Sequence, residues 1–117
     1  MMLDWSDYLK QANATIAEIA TVSPDILRGY RTIADAGRKT GKLDAKTREL
    51  IALGVAVTRQ CDGCINAHTQ AAISAGATRE ELIEALGVAI TVNAGAALVY
   101  SARTLDSFKA KLQAAPE

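Results

Sequence analysis

The sequence carries no excess of either charge: thirteen Lys and Arg balance thirteen Asp and Glu. That balance supplies no electrostatic drive toward nucleic acid or an anionic membrane surface. Also missing are an alternating strand pattern, an internal repeat, a glycine-rich phosphate loop and a low-complexity linker, so β architectures, repeat arrays and phosphate-loop enzymes drop out. The opening MMLDWSDYLK lacks the basic-then-apolar order of a secretory leader; a cytoplasmic chain is expected. Cysteine is scarce, with two residues, and histidine scarcer, with one. In a reducing compartment a structural disulfide is not expected, and a close cysteine pair points to redox chemistry or metal binding.

What remains is helical. A chain of 117 residues is long enough for one core and too short for two, so one all-α domain spanning 1–117 is expected. Trp5, Tyr8, Leu9, Ala12, Ile16 and Ile19 recur at the three-and-four spacing of an amphipathic helix. Ser23 as N-cap with Pro24 in the first turn opens a second helix ending near Gly41. Asp44 caps a third, which ends near the cysteines. A fourth runs from about Asp62 to Ala75 with Gly76 as its stop. Thr78 and Glu81 form a capping box for a fifth. Asn93 to Gly95 is expected to break or kink the next apolar run, so that a sixth helix continues to a frayed QAAPE tail. The expectation is a compact bundle of about six helices.

The third and fifth helices are apolar around most of their circumference. The run Leu82 to Tyr100 approaches the length of a bilayer span, but Glu84, Thr91, Asn93, Gly87 and Gly95 interrupt it, so a buried helix is the expectation and no membrane partner is. A bundle of this size has too little interior to cover such helices on every side, which predicts a homo-oligomer; a compact monomer with one central helix is the alternative.

Both cysteines and the histidine share one segment, CDGCINAH at 61–68. Cys64 falls in the first turn of the fourth helix and His68 four residues later on the same face, so thiol and imidazole can meet. Unpaired amides and the helix dipole favour a thiolate there, and Cys61 lies close enough to close a disulfide. Two other readings stay open: small apolar core residues with a satisfied histidine, or a zinc site drawing a fourth ligand from Glu49 or water, although no second ligand pair exists in the chain.

The stretch from Glu49 through ELIALGVAVTRQ, Cys61, Cys64 and His68 into the AGATREEL helix start resembles the alkylhydroperoxidase D core of the carboxymuconolactone decarboxylase-like superfamily. That core has Glu, eleven intervening residues, then CxxCxxxH. The resemblance covers about residues 40–105. It implies an all-helical trimer or hexamer and a peroxidase or disulfide-reductase activity on organic hydroperoxides. By position, Cys64 corresponds to the attacking thiol, Cys61 to the resolving thiol, and Glu49 and His68 to a proton-relay pair. It implies no bound cofactor and no resident metal, with recycling by an external dithiol such as a lipoyl-protein or thioredoxin-like donor. The chemistry itself needs such parts, because a thiolate attacking a peroxide expels an alkoxide that must gain a proton, and a second thiol condenses with the sulfenic acid.

The chain also departs from its relatives. Asp62 and Gly63 stand between the cysteines where some family members have a second histidine, and an acidic neighbour raises a thiol's pKa against the dipole. The decarboxylase branch generally lacks the cysteine pair, which makes lactone decarboxylation the weaker expectation. Plain hairpin geometry leaves Glu49 about 15 Å from a turn near residue 60 and His68 about 10 to 12 Å from it, a miss of one helical turn at about 1.5 Å per residue. On periodicity alone, Glu49 is an exposed first-turn residue beside Lys46 and Arg48.

Overall fold

A computed structural model describes residues 1–114, which contain five α-helices and no strand: α1 Trp5–Val22, α2 Pro24–Thr40, α3 Ala45–Arg59, α4 Asp62–Ser74 and α5 Arg79–Gln113. The C-terminal tail expected to fray lies, from residue 115 on, outside the described residues.

Most helix boundaries follow from their caps. The Asp4 carboxylate accepts from the Asp7 amide at 3.0 Å to open α1, and Asp44 accepts from the Thr47 amide at 2.7 Å to open α3. The capping box is complete at α5: Thr78 Oγ1 accepts from Glu81 N–H at 3.1 Å and Glu81 Oε1 accepts from Thr78 N–H at 3.0 Å. Gly41 and Gly76 terminate α2 and α4 at φ of +66° and +86°, left-handed conformations that only glycine adopts without strain. Ser23 is the N-cap residue of α2, as expected, though not through its side chain. It makes no side-chain cap hydrogen bond, and Pro24 at the first helical position starts α2.

The expected break at Asn93 to Gly95 is absent, so two expected helices are one of 35 residues. The reason is visible at Asn93, whose carboxamide donates to Ala89 O and to Thr58 Oγ1, both at 2.8 Å. These bonds satisfy the side chain inside the helix and tie α5 to α3. A lone glycine at 95 then costs only about 1 kcal/mol, too little to interrupt a long apolar run.

Packing centres on α3, which lies against both α4 and α5, while α1 joins α2 to α4. The buried apolar residues among those described are Leu53, Ala56, Ala72 and Ala89. With three alanines among the four, the helices approach closely over a thin core; a Cβ at Gly54 would sit 3.7 Å from that of Ala89. The chain is not compact. Its radius of gyration is 20.0 Å, against about 13 Å for a globular chain near this length. Nor is α5 buried as expected. Leu98 is 76% and Val99 74% exposed, and by length and composition the helix could cross a membrane.

The first turns of α3 and α5 are joined by the half-buried Lys46–Glu81 ion pair at 2.8 Å. Lys46, with the amide and hydroxyl of Thr78, holds the Glu81 carboxyl below the usual carboxylate range, and the Thr47 amide does the same for Asp44. Both carboxyls are depressed on folding. Their contribution to stability is therefore present above the ordinary carboxylate value and is lost as pH falls through the folded one. The thermal midpoint should be flat from neutral to mildly acidic pH and fall below about pH 4, with a shallower acid-side slope in Glu81→Gln; a calorimetric pH series checks both.

Candidate active site

The site is built by the turn between α3 and α4. Gln60 closes α3 in the left-handed conformation at φ 53°, and its amide bonds back to Ala56 and Val57 carbonyls. Cys61 N–H also donates to Ala56 O at 3.1 Å. Two residues therefore reverse the chain, and Cys61 lands at the N-cap of α4 in extended conformation. Its Sγ accepts from the Cys64 amide at 3.2 Å, so a sulfur occupies the position where a serine or aspartate oxygen commonly sits.

Cys61 and Cys64 are joined as a disulfide with Cα atoms 5.3 Å apart, inside the range that such a bond spans. The two sulfur-bearing residues differ in environment: Cys61 is half-buried and Cys64 exposed.

Glu49 and His68, which hairpin geometry left one turn apart, meet: His68 Nδ1 and Glu49 Oε2 are 2.6 Å apart. Level, strictly antiparallel helix axes would leave that gap open. Two residues of tight turn and the close packing of α3 on α4 give the helices a relative placement in which the side chains span the remaining gap. Glu49 is thus a partner of His68 rather than an exposed first-turn residue, and both side chains are partly shielded. With the carboxylate ionised, Nδ1–H donates to it and Nε2 is left as the ring atom that takes up or releases a proton. The pair can orient an imidazole for general acid–base work four residues from Cys64.

Sequence reasoning missed the residues that hold the first two turns of α4 from outside. The Asn66 carboxamide donates to the Trp5 carbonyl at 2.7 Å across 61 positions, and a Cβ at Gly63, between the cysteines, would lie 3.8 Å from Tyr8 Cε1. Trp5 and Tyr8 were visible as members of an apolar stripe, but nothing local names the helix that the stripe covers. Among the described residues no three His, Cys, Asp or Glu side chains gather where they could hold a metal. An apolar groove of about 490 Å³ lies between α3 and α5, walled by Leu50, Ile51, Val55, Val88 and Val92, with neither cysteine in its lining.

Removing the Asn66 carboxamide should loosen α1 from α4. Asn66→Ala is expected to lower unfolding free energy by about 1 kcal/mol in urea denaturation while leaving the disulfide able to form.

Residues 24–107 match the carboxymuconolactone decarboxylase family. An uncharacterized protein of Haemophilus influenzae is 41% identical over 108 residues, covering 92% of this chain and 96% of that protein. A second, from Cupriavidus necator, is 31% identical over 94% of this chain and 97% of its own length. Among solved structures, an apo carboxymuconolactone decarboxylase family protein from Legionella pneumophila superposes with a TM-score of 0.70 at 40% identity, covering 90% of this chain and 94% of that one. A protein from Methanobacterium thermoautotrophicum does so at 0.67 and 30%, covering 74% and 97%. With the match spanning all of α2 to α4 and most of α5, the chain belongs to the carboxymuconolactone decarboxylase family.

Proposed function

We propose that the protein is a thiol-dependent peroxidase that reduces organic hydroperoxides through Cys61 and Cys64. The observation that carries this reading is the Glu49–His68 contact at 2.6 Å, an oriented acid–base pair on the helix whose first turn holds both sulfurs. In the reduced enzyme the Cys64 thiolate attacks the terminal oxygen of the hydroperoxide. The O–O bond breaks, the alkoxide leaves and takes a proton by way of His68, and Cys64 becomes a sulfenic acid. The Cys61 thiolate then attacks Cys64 Sγ, hydroxide departs and is protonated to water, and the disulfide forms. An external dithiol, of the lipoyl-protein or thioredoxin type, returns the pair to the thiol state in a reducing cytoplasm. No bound cofactor enters this cycle.

A second reading draws on the family's name and on the same Glu49–His68 pair: acid–base chemistry of the decarboxylase kind, in which the sulfurs take no part. A third is a non-catalytic redox sensor, whose disulfide alters assembly or partner affinity through the large exposed apolar surface. Substitution separates them. In the peroxidase cycle Cys64→Ser abolishes peroxide consumption, Cys61→Ser permits one oxidation without disulfide closure, and His68→Ala slows turnover about a hundredfold or more, with Glu49→Gln changing it in the same direction. Peroxide consumption coupled to dithiol oxidation reads all four. Unchanged turnover in both cysteine variants would remove the mechanism.

The working unit in this reading is a homo-oligomer of trimer or hexamer size. The chain's accessible surface is 9498 Å², whereas a compact monomer of 12.3 kDa has about 6,100 Å². The excess, roughly 3,400 Å², exceeds several-fold the ~800 Å² that each partner contributes to a standard interface. A second copy is the occupant that matches an apolar groove and an equally apolar α5 on the same chain. Sedimentation velocity in detergent-free buffer should give an assembly at micromolar concentration and smaller species for Val99→Glu. A monomer, or a protein that stays dispersed only in detergent, would contradict the assembly.

A further inference from the structure

From the environments of the two sulfurs we infer that the disulfide is reduced with a fixed polarity: the donor's thiolate attacks Cys64 Sγ, and Cys61 is the leaving thiolate. This rests on the redox reading above and adds the order of bond exchange, which in turn selects dithiols over monothiols as donors.

Two independent features carry it. The first is access. Thiol–disulfide exchange needs the incoming sulfur to reach the attacked sulfur along the S–S axis. Cys64 is exposed, whereas Cys61 is half-buried at the two-residue turn, and Tyr8 of α1 lies against Gly63 between them, where a Cβ would be 3.8 Å from Tyr8 Cε1. The second is the leaving group. Exchange is faster when the departing thiolate is the better stabilised one. The α4 dipole acts on both sulfurs, but Cys61 Sγ alone already accepts the Cys64 amide, at 3.2 Å, so the negative charge it gains on leaving is met by a donor in place.

The exchange balances without further reactants. Donor thiolate and Cys64 sulfur form a mixed disulfide as the Cys61–Cys64 bond breaks, and Cys61 leaves as a thiolate. The donor's second thiol, once deprotonated, attacks its own bound sulfur, forms the donor disulfide and expels Cys64 as a thiolate. Two electrons pass from the dithiol to the protein, and the two donor protons end on solvent or on the released thiolates. A monothiol can complete only the first step alone. Its mixed disulfide on Cys64 faces the Cys61 thiolate three residues away, which expels it and restores the starting disulfide before a second monothiol arrives. The same exposed sulfur therefore meets both peroxide and donor, and Cys61 is the internal partner that each must displace or await.

The test needs no peroxide, so it stands apart from the peroxidase reading. The disulfide is formed with diamide, mixed with excess glutathione, quenched in acid on the timescale of the first exchange so that the mixed disulfide is trapped before Cys61 expels it, alkylated and mapped by peptide mass. The expected result is glutathione on Cys64 and the alkyl group on Cys61, in about tenfold excess over the reverse. The companion measurement compares dithiothreitol with glutathione at equal thiol concentration, and the dithiol should reduce the pair at least about tenfold faster. First adducts on Cys61 or on both sulfurs alike, or equal rates for the two reductants, would overturn the inference.

Discussion

The reversal of the chain at Gln60 and Cys61 is the constraint on which the rest of the structure depends. It lets α4 return against α3 with a buried interface of alanine and leucine, and so brings the single histidine to the Glu49 carboxylate. The same two residues seat Cys61 as the cap of α4, which aligns its sulfur with the helix amides and puts Cys64 one turn further on. A longer loop would satisfy the backbone as well but would leave the sulfurs, the imidazole and the carboxylate without a common address. The left-handed conformation at Gln60, a residue with a Cβ, costs roughly 1 kcal/mol or more and is held by bonds to two α3 carbonyls.

Around that turn the chain spends little on a core of its own. Among the described residues four apolar side chains are buried, the helices meet through small side chains, and the longest helix touches the rest of the chain along one face. An isolated domain of this size ordinarily depends on burying most of its apolar surface. Here much of the apolar surface of α5 and of the α3–α5 groove faces outward. In the proposed assembly that surface becomes interior. The first helix plays a different part, bracing the first two turns of α4 through Trp5 and Tyr8 against Asn66 and Gly63 rather than filling a centre.

Local chemistry made much of this legible. Asp44, Thr78 with Glu81, Gly41 and Gly76 announced their helix ends because caps act over three or four residues. The segment from Asn93 to Gly95 misled for the complementary reason: whether an asparagine breaks a helix depends on what else can bond to it. Asn93 finds Thr58 on another helix, which no window along the chain reveals. The CxxC pair and its histidine were legible as a unit from spacing on one helix. Glu49 was not, since its role needs the relative placement of two helices; the family resemblance pointed to it where straight-axis geometry fell a turn short. The brace from Trp5 to Asn66 spans 61 positions and left no local trace.

The account turns on whether the sulfurs perform two-electron chemistry on a peroxide. Intact mass of the reduced protein, taken with a thiol titration before and after one equivalent of cumene hydroperoxide, tests that claim most directly. The prediction is loss of two hydrogens and of both titratable thiols, with an equivalent of the alcohol formed. Two thiols that survive the peroxide unchanged, in a protein whose fold is intact, would contradict it.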